Sequence, residues 1–317
     1  MWRSAGALKG GWRYVGPHDQ APGAGEGREF VSPARPAVKP REIAAGVYYL
    51  RIWGANVYLV KSGSAWALID TGMRNHGSLI RDAAQTVFGT NVPPAAILLT
   101  HAHEDHYGSA AELARSWRLP VYVHADDMPM LKGGVLGVLP DEVLPPVGRL
   151  FNRLRRGLRG RPVPNTKPSE FAGLASALPD PPAPVPGLPD WELIPTPGHT
   201  VGHVAFFRPI DRVLIAGDAV LTAPLGGLIP QLKRISSPLR LPTWNWRFAK
   251  ASVAKLALLD PLVLASGHGT PLTGPDVARM LRAFSDRFSS SLGDSQERGA
   301  DDSTPPARDR TVSNPTE

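Results

Sequence analysis

The feature that most constrains this chain is the stretch Thr100-His101-Ala102-His103-Glu104-Asp105-His106. It follows directly on the apolar run 95–99, which opens with two prolines upstream and predicts a buried strand. Imidazole and carboxylate groups are ligands that suit zinc and other borderline divalent ions. We therefore interpret the stretch as a metal-binding turn at a strand end, in preference to a surface turn with chance histidines.

Composition limits what else the chain can be. Its 317 residues can bury a large core, and a hydrophobic fraction of 42% is typical of a globular protein. There is no cysteine, so a thiol nucleophile and thiolate ligands are excluded, and a reducing compartment is favoured. The sequence shows no secretory signal and no long apolar run, so we expect a cytoplasmic protein without a transmembrane segment. The net charge of +7 comes from arginines spread through tails and an insertion, so no nucleic acid partner is expected.

The sequence pattern divides the chain into one domain and three less regular segments. Residues 1–40 predict a flexible N-terminal tail, and residues 289–317 predict a disordered C-terminal tail. The domain between them, 41–288, is interrupted by a lid-like insertion at about 125–188 that is rich in glycine and proline. Within it, residues 147–161 predict an amphipathic helix. That helix either covers the core or contacts an acyl chain or a membrane surface.

Short β-rich runs and helical periodicities alternate through the domain. Strands are predicted at 46–52, 56–60, 65–70, 95–99, 120–124, 190–195, 204–208, 212–216 and 261–266, and helices at 76–88, 108–117, 245–259 and 275–288. At five places such a run is followed by a turn that carries histidine or carboxylate: Asp70, the group His101–His106, His199, Asp218 and His268. Because strand ends at one sheet edge converge, we predict a single site with enough ligands for two metal ions.

These motifs resemble those of the metallo-β-lactamase-fold hydrolase superfamily, in its glyoxalase II-like and lactonase-like branches. The matching stretches are Leu68-Ile69-Asp70-Thr71-Gly72, Thr100–His106, Pro197-Gly198-His199-Thr200, Gly217-Asp218 and Gly267-His268-Gly269. The resemblance implies an α/β (α+β) fold, namely a four-layered αβ/βα sandwich with a dinuclear site along one edge.

The resemblance also implies a role for each site residue. One metal ion would be held by His101, His103 and His199, a second by Asp105, His106 and His268, and Asp218 would bridge the two. Asp70 would orient a ligand rather than bind metal, and His203, outside this set, is expected to be structural. Two zinc ions are the expected cofactors, with iron or manganese as alternatives.

The predicted reaction is hydrolysis of a small-molecule substrate with an electrophilic carbonyl, in an ester, lactone or thioester. Two divalent ions lower the pKa of a shared water, and the resulting hydroxide attacks the carbonyl, with Asp105 and Asp218 as the catalytic carboxylates. Two alternatives stay open. One is an iron-dependent enzyme of the persulfide dioxygenase type, and the other is a non-catalytic member that binds lipid surfaces. The sequence does not indicate the oligomeric state.

Overall fold

Two β-sheets form the centre of the computed structural model, which describes residues 39–133, 170–223, 235–239 and 243–290. The first sheet contains β1 (Arg41–Ala44), β2 (Val47–Ile52), β3 (Ala55–Ser62), β4 (Ala65–Ile69), β5 (Ala96–Leu98), β6 (Val121–Val123) and β7 (Ala175–Ala177), in that order. The second contains β8 (Glu192–Pro195), β9 (Val204–Arg208), β10 (Val213–Gly217), β11 (Val263–Ser266) and β12 (Leu272–Thr273), in the order β12-β11-β10-β9-β8.

The pairing of the strands follows the connections between them. Strands β1 to β4 pair antiparallel through short turns, whereas β4, β5, β6 and β7 pair parallel. In the second sheet only β10 and β11 pair parallel. The helices are α1 (Gly77–Phe88), α2 (Glu104–Tyr107), α3 (Ala110–Trp117), α4 (Met128–Gly133), α5 (Trp246–Ala257) and α6 (Asp276–Ser290). Helix-containing crossovers therefore join the parallel strands β4–β5, β5–β6 and β10–β11, as parallel pairing requires.

The alternation of side chains along the strands explains the layers. On β9, Val204 and Phe206 point into the core between the sheets, whereas Ala205 and Phe207 point outward. The outward side chains pack with Val253 of α5 and other side chains of α5 and α6, so helices cover this face. On the other side, α1 and α3 cover the outer face of the first sheet. The result is the predicted αβ/βα sandwich, and the fold class is confirmed.

Most regular elements agree with the sequence pattern, and the differences concern short elements and one helix end. The pattern missed α2 and α4, which are helices of only four and six residues. The pattern missed β1 and β12, which are short edge strands. It also missed β7, which lies inside the insertion at 125–188 but pairs with β6, so the insertion returns to the first sheet. Helix α6 continues to Ser290, two residues past its predicted end.

Some predictions lie outside the described residues. They are the N-terminal tail up to residue 38, the helix at 147–161 and the C-terminal tail beyond residue 290. Across the described parts of the chain, no helix is both long enough and apolar enough to cross a membrane.

Candidate metal centre

Both sheets contribute to one cluster of histidines and carboxylates at their common edge. From the first sheet come Asp70, which follows β4, and the stretch 101–106, which follows β5. From the second come His199 in the β8–β9 connection, Asp218 after β10 and His268 after β11. The backbone joins the two sheets here, since the Val204 N–H donates to the Thr100 carbonyl at 2.9 Å. The strand ends therefore converge as the sequence predicts.

Three overlapping groups of donor atoms lie within this cluster. In each group the ligand atoms lie within 4.8 Å of one another, and the groups are His101/His103/His199, His101/His106/Asp218 and Asp105/His106/His268. Asp218 lies centrally, with its carboxylate oxygens 3.6 Å from His106 Nε2, 3.4 Å from His199 Nε2 and 3.3 Å from His268 Nε2.

These separations suit a bound cation. Ligand atoms about 2.0–2.1 Å from a tetrahedral zinc lie roughly 3.4 Å apart, close to the distances around Asp218. Three buried atoms of the cluster, His106 Nε2, His199 Nε2 and Asp218 Oδ1, also have no hydrogen-bond partner among the described residues. Leaving a buried polar atom unpaired costs about 1–3 kcal/mol. Coordination of divalent cations would satisfy all three, so the residues present fit a dinuclear metal centre.

The opposite ring nitrogens fix which way the imidazoles face. The Thr100 hydroxyl donates to Asp70 Oδ2 at 2.9 Å, so it accepts from His101 Nδ1–H at 3.0 Å. By the same logic the Thr243 hydroxyl donates to the Leu239 carbonyl and accepts from His199 Nδ1–H at 3.3 Å. Each neutral ring therefore turns an unprotonated Nε2 toward the centre, which is the form that binds metal.

His106 and His268 are oriented in the same way by acceptors that cannot donate. His106 Nδ1–H donates to Asp70 Oδ2 at 2.8 Å, and His268 Nδ1–H donates to the Gly54 carbonyl at 3.0 Å. Asp70 also accepts from the Thr100 N–H at 2.8 Å, which ties the end of β4 to the start of the histidine stretch. Asp70 thus contacts His106, one of the possible metal ligands, but belongs to none of the three groups of metal-ligand atoms itself.

The charges of the cluster divide the histidines into two kinds. Burial, together with the neighbouring histidines, holds the pKa of His101 and of His199 well below the ordinary value. Burial also opposes protonation of His268, but the charge of Asp218 and the hydrogen bond with Asp105 outweigh it and raise the pKa of His268 to about 10. The pKa of His106 is raised for the same reason, by Asp105 and Asp218. The part of the cluster around Asp105 and Asp218 therefore favours positive charge.

His203 lies beside the cluster and is occupied otherwise. Its Nε2 accepts from the Asp218 N–H at 2.9 Å, so its Nδ1–H donates to the Thr196 hydroxyl at 2.8 Å. Both ring nitrogens are used, and burial lowers the pKa of His203 to about 3. The ring therefore holds the backbone of Asp218 in place and has no lone pair for a cation.

Sequence reasoning missed two further contributors to the cluster. Asn56 on β3 donates from its side-chain amide to the carbonyls of Ser266 and Gly269, at 2.9 and 2.7 Å, and so holds the turn that carries His268. No pattern in the sequence indicates this contact. Asp127, fully buried, contacts the turns that carry His101 and His199. It follows β6 by four residues, so the strand-end pattern that identified the other residues could have found it.

Gly198 allows the His199 turn to pack closely. Its φ is +139°, and a Cβ there would lie 2.3 Å from the Ala249 nitrogen in α5. The Gly198 carbonyl accepts from the Asn245 N–H at 2.9 Å, and the Asn245 side chain caps α5 by accepting from its first-turn amides. The start of α5 therefore fixes the position of His199.

Tyr107 follows the histidine stretch directly but is a packing residue. It is buried and contacts the Phe171 ring edge-on at 5.5 Å, and burial raises the pKa of its hydroxyl.

Comparisons with known proteins show which proteins this chain is similar to. The model of the metallo-beta-lactamase superfamily matches residues 50–268, which include all the residues of the cluster. A probable metallo-hydrolase of Bacillus subtilis (strain 168), YflN, is 35% identical over 255 residues, or 78% of this chain and 93% of the relative. Another probable metallo-hydrolase of that organism, YybB, is 26% identical over 215 residues, or 68% of this chain and 80% of the relative.

Solved structures show the same fold. A B3 metallo-beta-lactamase with an active-site glutamic acid has a TM-score of 0.55 at 18% identity, covering 80% of this chain and 91% of that one. At this level of identity the likeness concerns the fold alone.

Proposed function

The chain is a metal-dependent hydrolase of the metallo-β-lactamase superfamily, and we propose that it uses two zinc ions to hydrolyse an ester, lactone or thioester. Seven donor residues gathered at one buried edge, in three groups that share members, carry this proposal. An iron-dependent oxygenase of the persulfide dioxygenase type would use only a subset of these donors. Because all seven lie together, hydrolysis is favoured.

The donor residues divide naturally between two cations. We assign His101, His103 and His199 to one cation, Asp105, His106 and His268 to the other, and Asp218 to both. Divalent cations bound there would lower the pKa of a water into the neutral range and polarise the substrate carbonyl. The geometry that supports a shared Asp218 is its contact with histidines of both groups.

Asp105 lies at the opening of the centre. Its side chain is 36% exposed, whereas those of His106 and Asp218 are 0% and 4% exposed. Asp105 Oδ2 is 3.2 Å from His268 Nε2, which leaves Oδ1 to accept the proton of the attacking water. Beneath it, the buried histidines exclude bulk water, so charges that develop during the reaction are less screened.

Apolar side chains beside the centre favour a substrate with an apolar group next to its carbonyl. Trp53 is 83% exposed and precedes Gly54, whose carbonyl accepts from His268. Met73 and Val201 are also exposed, and they follow the turns that carry Asp70 and His199. Exposed apolar residues close to a site are typical of binding surfaces.

Metal quantification on the purified protein, combined with a substrate panel, tests the proposal. We expect two equivalents of zinc and turnover of acyl esters, lactones or acyl thioesters, with phosphodiesters left intact. Asp218→Ala should lose bound metal and activity with normal circular dichroism. Asp211→Ala is the matched control, because that carboxylate pairs with Arg208 away from the centre. Activity in metal-free protein, or iron accompanied by oxygen uptake, would refute the proposal.

A further inference from the structure

Asp127 is a buried carboxylate that accepts three hydrogen bonds and is not one of the seven residues proposed to bind metal. Its Oδ2 accepts from the Ala102 N–H at 3.0 Å and from the Thr200 hydroxyl at 2.7 Å. Its Oδ1 accepts from the Gly202 N–H at 2.7 Å. The side chain is completely buried, so these contacts are shielded from water.

The three donors belong to the turns that carry one group of histidines. Ala102 lies between His101 and His103, and Thr200 directly follows His199. The first turn follows β5 in the first sheet, and the second joins β8 and β9 in the second sheet. A single carboxylate therefore connects two turns that have no element of secondary structure in common.

Asp127 is not acting as a helix cap, although it immediately precedes α4. A capping carboxylate accepts from the first amides of its own helix. The donors to Asp127 are 25, 73 and 75 residues away in sequence. The contact is also close, since a Cβ on Gly202 would lie 2.7 Å from the Asp127 nitrogen and 2.9 Å from its Oδ1.

Asp70 makes a comparable set of contacts on the other side of the centre. It accepts from the Thr100 amide, the Thr100 hydroxyl and His106 Nδ1–H. Asp70 therefore orients His106 directly and His101 through the Thr100 hydroxyl. Asp127, in contrast, accepts from the amide between His101 and His103 and from two groups in the turn that carries His199. The two buried carboxylates therefore support different parts of the centre, with Asp127 holding the turn that carries His199. A negative charge in this position also favours a bound cation.

We propose that Asp127 is a positioning residue that holds the three-histidine group in the geometry that binds its cation. The inference rests on the proposed dinuclear centre. It adds that the turn with His199, which serves one proposed cation alone, depends on Asp127, so that this cation is weakened more than the other when Asp127 is changed.

Asp127→Asn tests the proposal with little change in size. The amide places an N–H where an acceptor is needed, so at least one of the three donors loses its partner. In protein equilibrated with buffered free Zn²⁺, we expect one of two bound cations to be held about 10–100-fold more weakly, and the other as in wild type. The visible spectrum of Co²⁺-loaded protein should lose the bands of one site only. Thr200→Val, which removes one donor, should weaken the same cation by less.

A second measurement needs no metal. In metal-free protein, amide hydrogen exchange at Ala102 and Gly202 should be faster in Asp127→Asn than in wild type. Asp190→Asn is the matched control, because Asp190 also accepts from a hydroxyl, that of Ser62, away from the centre. It should change neither metal binding nor exchange at these amides.

Several outcomes would overturn the inference. They are wild-type affinity for both cations in Asp127→Asn, equal weakening of both cations, and unchanged exchange at the two amides. If wild type bound no cation, the proposed function would fail, while exchange in metal-free protein would still decide whether Asp127 holds the turns. If Asp127→Asn does not fold, unaltered cation binding in Thr200→Val would overturn the inference.

Discussion

Gly267 has space for no side chain, and this allows a sharp test of the centre. A Cβ added there would lie 2.1 Å from Asp218 Oδ1 and 2.6 Å from His106 Cε1, whereas real Cβ contacts are not shorter than 3.0 Å. Gly267 cannot easily retreat, because its N–H donates to the Gly217 carbonyl and its own carbonyl accepts from the Asn56 N–H, both at 2.7 Å. In Gly267→Ala the Asp218 carboxylate must therefore move by roughly 1 Å.

A shift of this size is large for a metal centre. Displacement by about 1 Å can cost on the order of 100-fold in rate, while overpacking costs about 1–3 kcal/mol of stability. We therefore expect Gly267→Ala to fold, to bind less metal than wild type and to lose about 100-fold in kcat/KM. Metal content, hydrolysis of the best substrate in the panel and thermal unfolding measure these three quantities.

Gly77→Ala is the matched control for this prediction. A Cβ on Gly77 would lie 2.4 Å from Glu112 Oε1, a contact nearly as short. The Glu112 side chain is 44% exposed, so it can turn away at little cost. Gly77→Ala should keep metal and activity. Wild-type metal content and rate in Gly267→Ala would refute the assignment of Asp218 to the centre.

Three other predictions concern residues at or beside the centre. Asp70→Asn should weaken metal binding about 10–100-fold in equilibrium dialysis, because the His106 ring loses a carboxylate that orients it; unchanged affinity would contradict this. Trp53→Ala should raise KM for substrates with long apolar groups more than for short ones in a chain-length series, and an equal change for both would count against apolar contact. In metal-free protein, the pKa of His268 is raised to about 10. Protonated His268 therefore contributes a few kcal/mol to the free energy of unfolding. This contribution is fully present below about pH 6.5 and is lost as pH rises toward 10. Urea unfolding should show the free energy of unfolding decreasing across this pH range, and His268→Asn should make that decrease smaller.

The positions of the site residues, including Asp70, could be predicted because they follow a local rule. Buried strands are visible as apolar runs, and Asp70, Asp218 and His268 each stand within two residues of the end of one. The sandwich follows from the same apolar runs. A strand such as β9 carries apolar residues on both faces, so the other sheet must cover one face and helices the other. The metal-binding roles of the individual residues stay predictions.

The supporting residues could not be predicted in this way, because their partners are distant in sequence. Asn56 lies in the middle of an ordinary strand, and only the folded chain shows that its amide reaches the turn after β11, 210 residues away. The choice between His203 and the other histidines depends on one backbone amide, that of Asp218. Such contacts arise from tertiary packing, which periodicity does not encode.

The division of the centre between the two sheets has a consequence for the order of events during synthesis. Four of the seven proposed ligands come from the first sheet and leave the ribosome well before His199, Asp218 and His268 do. They offer each proposed cation only two of its four ligands. Strong cation binding therefore has to wait until the last strands have formed and the sheets have packed together. A cation that binds only this final state then stabilises the completed chain and gives nothing to its fragments. Uptake of metal would thus report that the chain has been made at least as far as His268 and that the two sheets have packed together.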